Sequence, residues 1–145
     1  MKQDLRRDLK SATDCAVAIF IGCVSQFAEV TGLTFVLFPE LAALTFIVFH
    51  QPASKVARAW VLLSVTPLVT AIIGVYLSRS MPFGVVPISL SIGTSVLLIA
   101  VLRSPIIPAI SAGVLPLSVG ITNWAYPASV FLGTAALTLA GFVRR

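Results

Sequence analysis

Charge is distributed along this chain in a way that leaves few folds open to it. Residues 59–78, 80–102 and 104–143 carry no charged side chain, and residues 15–49 carry only Glu29 and Glu40. An uncharged apolar stretch of about 18 or more residues reads as a transmembrane helix, because in lipid the backbone must satisfy its own hydrogen bonds. Composition agrees, with 58% hydrophobic and 10% charged residues against roughly 45–50% and about 25% in a soluble domain. A water-facing coat cannot be built from so few polar side chains, and soluble classes are excluded.

The basic N-terminus MKQDLRRDLK precedes an apolar run, but Asp4, Asp8 and Asp14 interrupt it and no small-residue cleavage site follows. The first segment therefore reads as a retained signal anchor, not as a cleaved signal peptide. Cys15 and Cys23 fall in that segment. A helix would hold them about 12 Å apart, too far to pair, so they are expected to act as small apolar residues.

Four segments are long enough to cross a bilayer, 12–32, 59–78, 84–102 and 126–143, and two shorter ones, 38–50 and 105–118, contain prolines. If the short segments complete a crossing, Lys2, Arg6, Arg7, Lys10, Lys55, Arg58, Arg103, Arg144 and Arg145 are cytoplasmic and only Arg79 is outside. That asymmetry fixes the expected topology, since Lys and Arg near segment ends set orientation. It is six membrane segments in a multi-pass inner (plasma) membrane protein with both termini cytoplasmic. Trp60 would sit at the inner boundary, and Tyr76, Trp124 and Tyr126 in an outer aromatic belt. The net charge of +5 then belongs to lipid head groups and not to nucleic acid.

The expected fold is an all-α integral membrane domain in which residues 12–78 and 84–143 form two repeats, each ordered long, short, long. Residues 1–11 are a cytoplasmic basic N-terminus. The first repeat starts inside and the second outside, so the two would be inverted repeats. Phe38-Pro39-Glu40-Leu41-Ala42-Ala43 aligns with Ile107-Pro108-Ala109-Ile110-Ser111-Ala112. Proline is well tolerated at a helix start, so segments 2 and 5 read as half-helices beginning near Pro39 and Pro108.

Two such helices would open their N-termini onto one cavity near the bilayer midplane, with the amides of Glu40, Leu41 and Ala42 facing those of Ala109, Ile110 and Ser111. A helix N-terminus carries about half a positive charge and open donors, which suits a small inorganic anion. The expected binding set is Pro39, Glu40, Leu41, Ala42, Pro108, Ala109, Ile110 and Ser111. Glu40 has two readings, a helix-capping acid or a proton carrier whose protonation accompanies anion binding. Glu29 reads as a solvated residue near the outer interface, and the single His50 as structural.

No catalytic constellation, metal-ligand spacing or phosphate loop is present, so neither enzyme activity nor a cofactor is expected. Small residues four apart, including Ala12 and Ala16, Ser89 and Gly93, and Ala136 and Ala140, favour close helix contacts, and a homo-oligomer is expected.

The chain resembles the HPP family of small integral membrane proteins over roughly residues 33–142. The resemblance lies in Pro39 to Phe49, Gln51-Pro52-Ala53-Ser54 to Arg58, Pro67 to Val75, and Ile106-Ile107-Pro108-Ala109 through Leu115-Pro116-Leu117. Ile106-Ile107-Pro108 stands where the family has His-Pro-Pro. The resemblance implies a transporter or channel for a small anion such as nitrite. The other readings are a non-transporting membrane subunit, and a proton or cation pathway through Glu29 and Glu40.

Overall fold

The computed structural model describes residues 2–32, 39–51, 55 and 59–143, with the backbone alone for residues 2–11 and 39. All regular structure among these residues is helical: α1 (Lys2–Thr31), α2 (Pro39–His50), α3 (Trp60–Ser80), α4 (Val85–Leu102), α5 (Ala109–Val119) and α6 (Ala125–Val143). Four stretches are long and apolar enough to cross a membrane: Ala12–Thr31, Trp60–Ser80, Val85–Leu102 and Ala125–Val143. The expected spans agree with these to within two residues. α1 also continues back through the basic N-terminus to Lys2.

The short helices start where their prolines predict. Pro39 is the first residue of α2, and Pro108, at φ −56°, immediately precedes α5. The extended run expected over residues 33–38 lies outside the described residues. Its counterpart, residues 104–106, is irregular, and Ser104 and Ile106 are buried there.

The ends of α4 and α5 are set by left-handed turns. Arg103 (φ 48°) closes α4, with its amide donating to the Ala100 carbonyl and the Ser104 amide to that of Ile99. This is a Schellman-type end, built without the glycine that usually relieves the left-handed conformation. Gly120 (φ 74°) ends α5 in a similar way, its amide and that of Ile121 both donating to Pro116.

α3 is the hub, packed against α5, α6 and α4, while α2 touches α1, α6 and α5. α1 and α4 lie on the outside of the bundle, each only 17% buried over its span, against 44% for α3 and for α6. The closest approach is between α3 and α5, where a Cβ added to Gly74 would collide with the backbone of Gly113. Glycine at both positions lets the two backbones meet, the small-residue mode of packing that membrane helices use.

Buried hydroxyls are common, as at Thr45, Thr66, Thr70, Ser91, Ser129 and Thr134. Several are satisfied by the carbonyl one turn back, as in Thr45 to Leu41 (2.6 Å), Ser129 to Ala125 (2.8 Å) and Thr134 to Val130 (3.0 Å), which is how a hydroxyl is carried inside an apolar helix bundle.

Candidate functional site

α2 and α6 run in the same direction. α2 packs against α6, and near the last turn of each a Cβ on Gly141 would meet the Val48 side chain. α6 is antiparallel to α3, with Ser64 3.3 Å from Thr138 and Trp60 beside Gly141. α5 is parallel to α3, with Gly113 between Thr70 and Gly74 and the Ser78 hydroxyl donating to Pro116 at 3.3 Å. α2 also packs against α5.

Glu40 is the acid there. It stands in the first turn of α2, is 8% exposed, and its Oε2 is buried without a hydrogen-bond partner. A carboxyl is costly at such a place, and an ionisable group inside a membrane bundle usually marks function. Leu41 and Ala109 are buried, and Pro108 and Ile110 are half-buried. Ala42 and Ser111 are exposed.

The first amides of α5 depart from expectation. They were expected to stand open, but Ala109, Ile110 and Ser111 donate to the carbonyls of Ile106, Ile107 and Pro108 at 3.3, 3.1 and 3.2 Å. The turn before the helix is wound tightly enough to satisfy its own first donors. The Ser111 hydroxyl also turns back, donating to Pro108 at 2.8 Å.

The residue that sequence reasoning missed is Tyr126. Expected in the outer aromatic belt beside Trp124, it is fully buried, and its hydroxyl donates to the Ala112 carbonyl at 2.9 Å. Trp124 and Tyr76 remain exposed, and the Arg79 guanidinium lies 5.9 Å from the Trp124 ring centre. A signal was present: Tyr126, Val130, Gly133, Leu137 and Gly141 recur at helical spacing, and that face is buried along its whole length. The carbonyl that Tyr126 serves has a particular need, because Pro116, four residues on, has no amide to give it.

A second polar group surrounds Gly113. Ser91 donates to its carbonyl at 2.8 Å, and a Cβ there would sit 2.9 Å from Ser95 Oγ and 3.0 Å from the Thr70 carbonyl. Ser95 Oγ has no partner and is fully buried. Its usual recourse, the Ser91 carbonyl one turn back, already accepts the Thr94 hydroxyl at 3.1 Å. Thr66 and Ser104 pair at 3.0 Å where the irregular segment passes α3.

The remaining titratable groups are peripheral. His50 Nε2 meets Asp14 Oδ1 at 2.7 Å, and its Nδ1 approaches the Phe46 carbonyl at 3.2 Å, so it ties α2 to α1 at the end away from Glu40. Glu29 is exposed, as are the free Cys15 and Cys23. Among the described residues no cluster of His, Cys, Asp and Glu is suited to a metal. Comparison with family models, curated proteins and solved structures finds nothing that matches the chain.

Proposed function

We propose that this chain is a proton-coupled membrane transporter for a small inorganic anion, its site lying between the starts of α2 and α5 and Glu40 serving as the proton carrier. The observation that carries the reading is the buried Glu40 carboxyl, with one oxygen unpartnered, at a helix start inside a bundle of membrane-crossing length. Neutral Glu40 lets an anion share the positive end of α2; ionised Glu40 repels it. Protonation and anion binding then favour one another. The HPP resemblance adds nitrite as the class of anion.

Register supports a site at mid-depth. With Val48 level with Gly141, Glu40 eight residues earlier is level with about Gly133. With Ser64 level with Thr138 in antiparallel helices, Gly133 is level with about residue 69 of α3. Gly113 lies between Thr70 and Gly74, so Ala109, four residues earlier, reaches nearly the same level. The centre of the Trp60–Ser80 span is residue 70. In this reading both short helices begin halfway along α3, as two inverted halves would have it, and non-helical backbone at that depth is sheltered by protein.

Proteoliposomes containing only this chain should take up nitrite faster when the outside is acid, and Glu40→Gln should remove that pH dependence. Absence of flux for every small anion tested would favour a non-transporting membrane subunit. A second reading, a proton pathway through Glu40 with no anion, is favoured by the engaged amides at the start of α5. It predicts collapse of an imposed pH gradient in the same vesicles without any permeant anion.

A further inference from the structure

Proline inside a helix leaves the carbonyl one turn earlier without its amide donor. In α5 that carbonyl belongs to Ala112 and the proline is Pro116. Such a group left unpaired in a dry interior costs several kcal/mol. Tyr126, reaching across from α6, supplies the donor at 2.9 Å. The phenol is thus a substitute for a missing backbone hydrogen bond and ties α5 to α6 at the proline.

A tyrosine hydroxyl has one proton to donate. Glu40 stands at the start of α2, which packs against both α5 and α6, and its Oε2 is a buried acceptor with no donor. A carboxylate accepts more strongly than a neutral carbonyl, whereas a protonated carboxyl competes weakly. From these facts we infer that Tyr126 is the positioning residue through which the protonation state of Glu40 reaches α5: with Glu40 neutral its hydroxyl holds the Ala112 carbonyl, and with Glu40 ionised it turns to the carboxylate and releases α5 at Pro116.

The proton that Glu40 gives up passes to water on whichever side the site then opens. Other groups packed around Glu40 do not share this role. α5 carries no titratable side chain and α6 carries only Tyr126. On α1, Asp14 is held by His50, and Glu29, Cys15 and Cys23 are exposed. The inference rests on Glu40 as the protonatable centre, but not on which solute moves.

The test is a double-mutant cycle on the full chain in lipid nanodiscs, read as melting temperature across pH. Tyr126→Phe should lower the melting temperature by about 2–4 °C at acid pH, where the hydroxyl sits on Ala112, and that loss should vanish in a Pro116→Ala background, whose new amide serves the same carbonyl. Glu40→Gln should make the Tyr126→Phe loss independent of pH. Strictly additive effects of Tyr126→Phe and Pro116→Ala, or a Tyr126→Phe loss whose pH profile Glu40→Gln leaves unchanged, would overturn the assignment. Should Tyr126→Phe not fold, Pro116→Ala alone should flatten the pH dependence of melting; an unaltered profile refutes the coupling. None of these readouts needs flux, so failure of transport and failure of this coupling are separable.

Discussion

The two halves of the bundle share an order of helix lengths but differ in how tightly their short helices are held. α5 packs along α3 with backbone against backbone at Gly74 and Gly113, and α4 adds the Ser91 hydroxyl bond to the Gly113 carbonyl. α2 meets α6 and α1 through side chains, with Leu44, Val48 and Phe49 buried between them. Aligning Pro39 with Pro108 places Leu44 opposite Gly113 in sequence, so a fully buried leucine occupies the position where the other half has no side chain. The same alignment sets Glu40 against Ala109. One half is therefore a close-packed frame, and the other is spaced by side chains and carries the one buried acid among the described residues. The difference teaches that the short helix bearing the buried acid is held by side-chain packing, and the other by backbone contact at glycine.

Substitutions can break or sharpen that contrast, and the largest effect belongs to the glycine contact. Gly74→Ala drives a methyl into the Gly113 backbone, which cannot turn away as a side chain would, and should cost about 3 kcal/mol with loss of the monodisperse species in detergent. A Gly74→Ala protein that melts like the parent would mean that the halves do not differ in this way. Next, Leu44→Ala should cost about 2 kcal/mol, near the low end for a buried leucine, because in lipid the loss is of packing and not of transfer from water. Its melting curve should still show one cooperative transition.

Smaller effects test the hydroxyl seam. Ser91→Ala removes the bond to Gly113 and should lower stability by about 0.6 kcal/mol, the usual worth of such bonds between membrane helices. Ser95→Ala deletes an unpartnered buried oxygen and should be neutral or slightly stabilising; a clear loss in thermal or denaturant unfolding would show that the hydroxyl has a partner. Asp14→Asn, at the other end of α2, removes the charge from a pair with His50 in which the Asp14 side chain is 55% exposed, and should change stability by less than about 1 kcal/mol.

Much of the fold was legible in residue order. Charge-free runs located the spans, Pro39 and Pro108 marked the starts of α2 and α5, and the separation of Cys15 from Cys23 excluded a bond between them within one helix. The site was legible in part. Glu40 stood out because a carboxylate in an apolar segment is expensive, and it is buried as that cost suggests. Ala42 and Ser111 were read as site residues for their backbone amides at a helix start, and both are exposed in the bundle, since position along one helix does not tell which side meets the rest of the fold. Tyr126 was misplaced for a related reason: an aromatic residue near a span end suits a membrane boundary as well as a buried hydrogen bond.

By itself the sequence determined the apolar-helical class, the bounds of the four long apolar spans and the starts of the two proline-led helices. These depend on local matters, namely apolar length, proline geometry and the position of charge. Only the tertiary structure decided that Tyr126 serves the carbonyl orphaned by Pro116, that Gly74 meets Gly113, and that the first amides of α5 are already engaged. In a soluble helix one apolar face would have announced the inner side. Here lipid and core are equally apolar, so no periodicity distinguishes them, and which groups meet is settled by shape and by the hydrogen bonds each backbone still lacks.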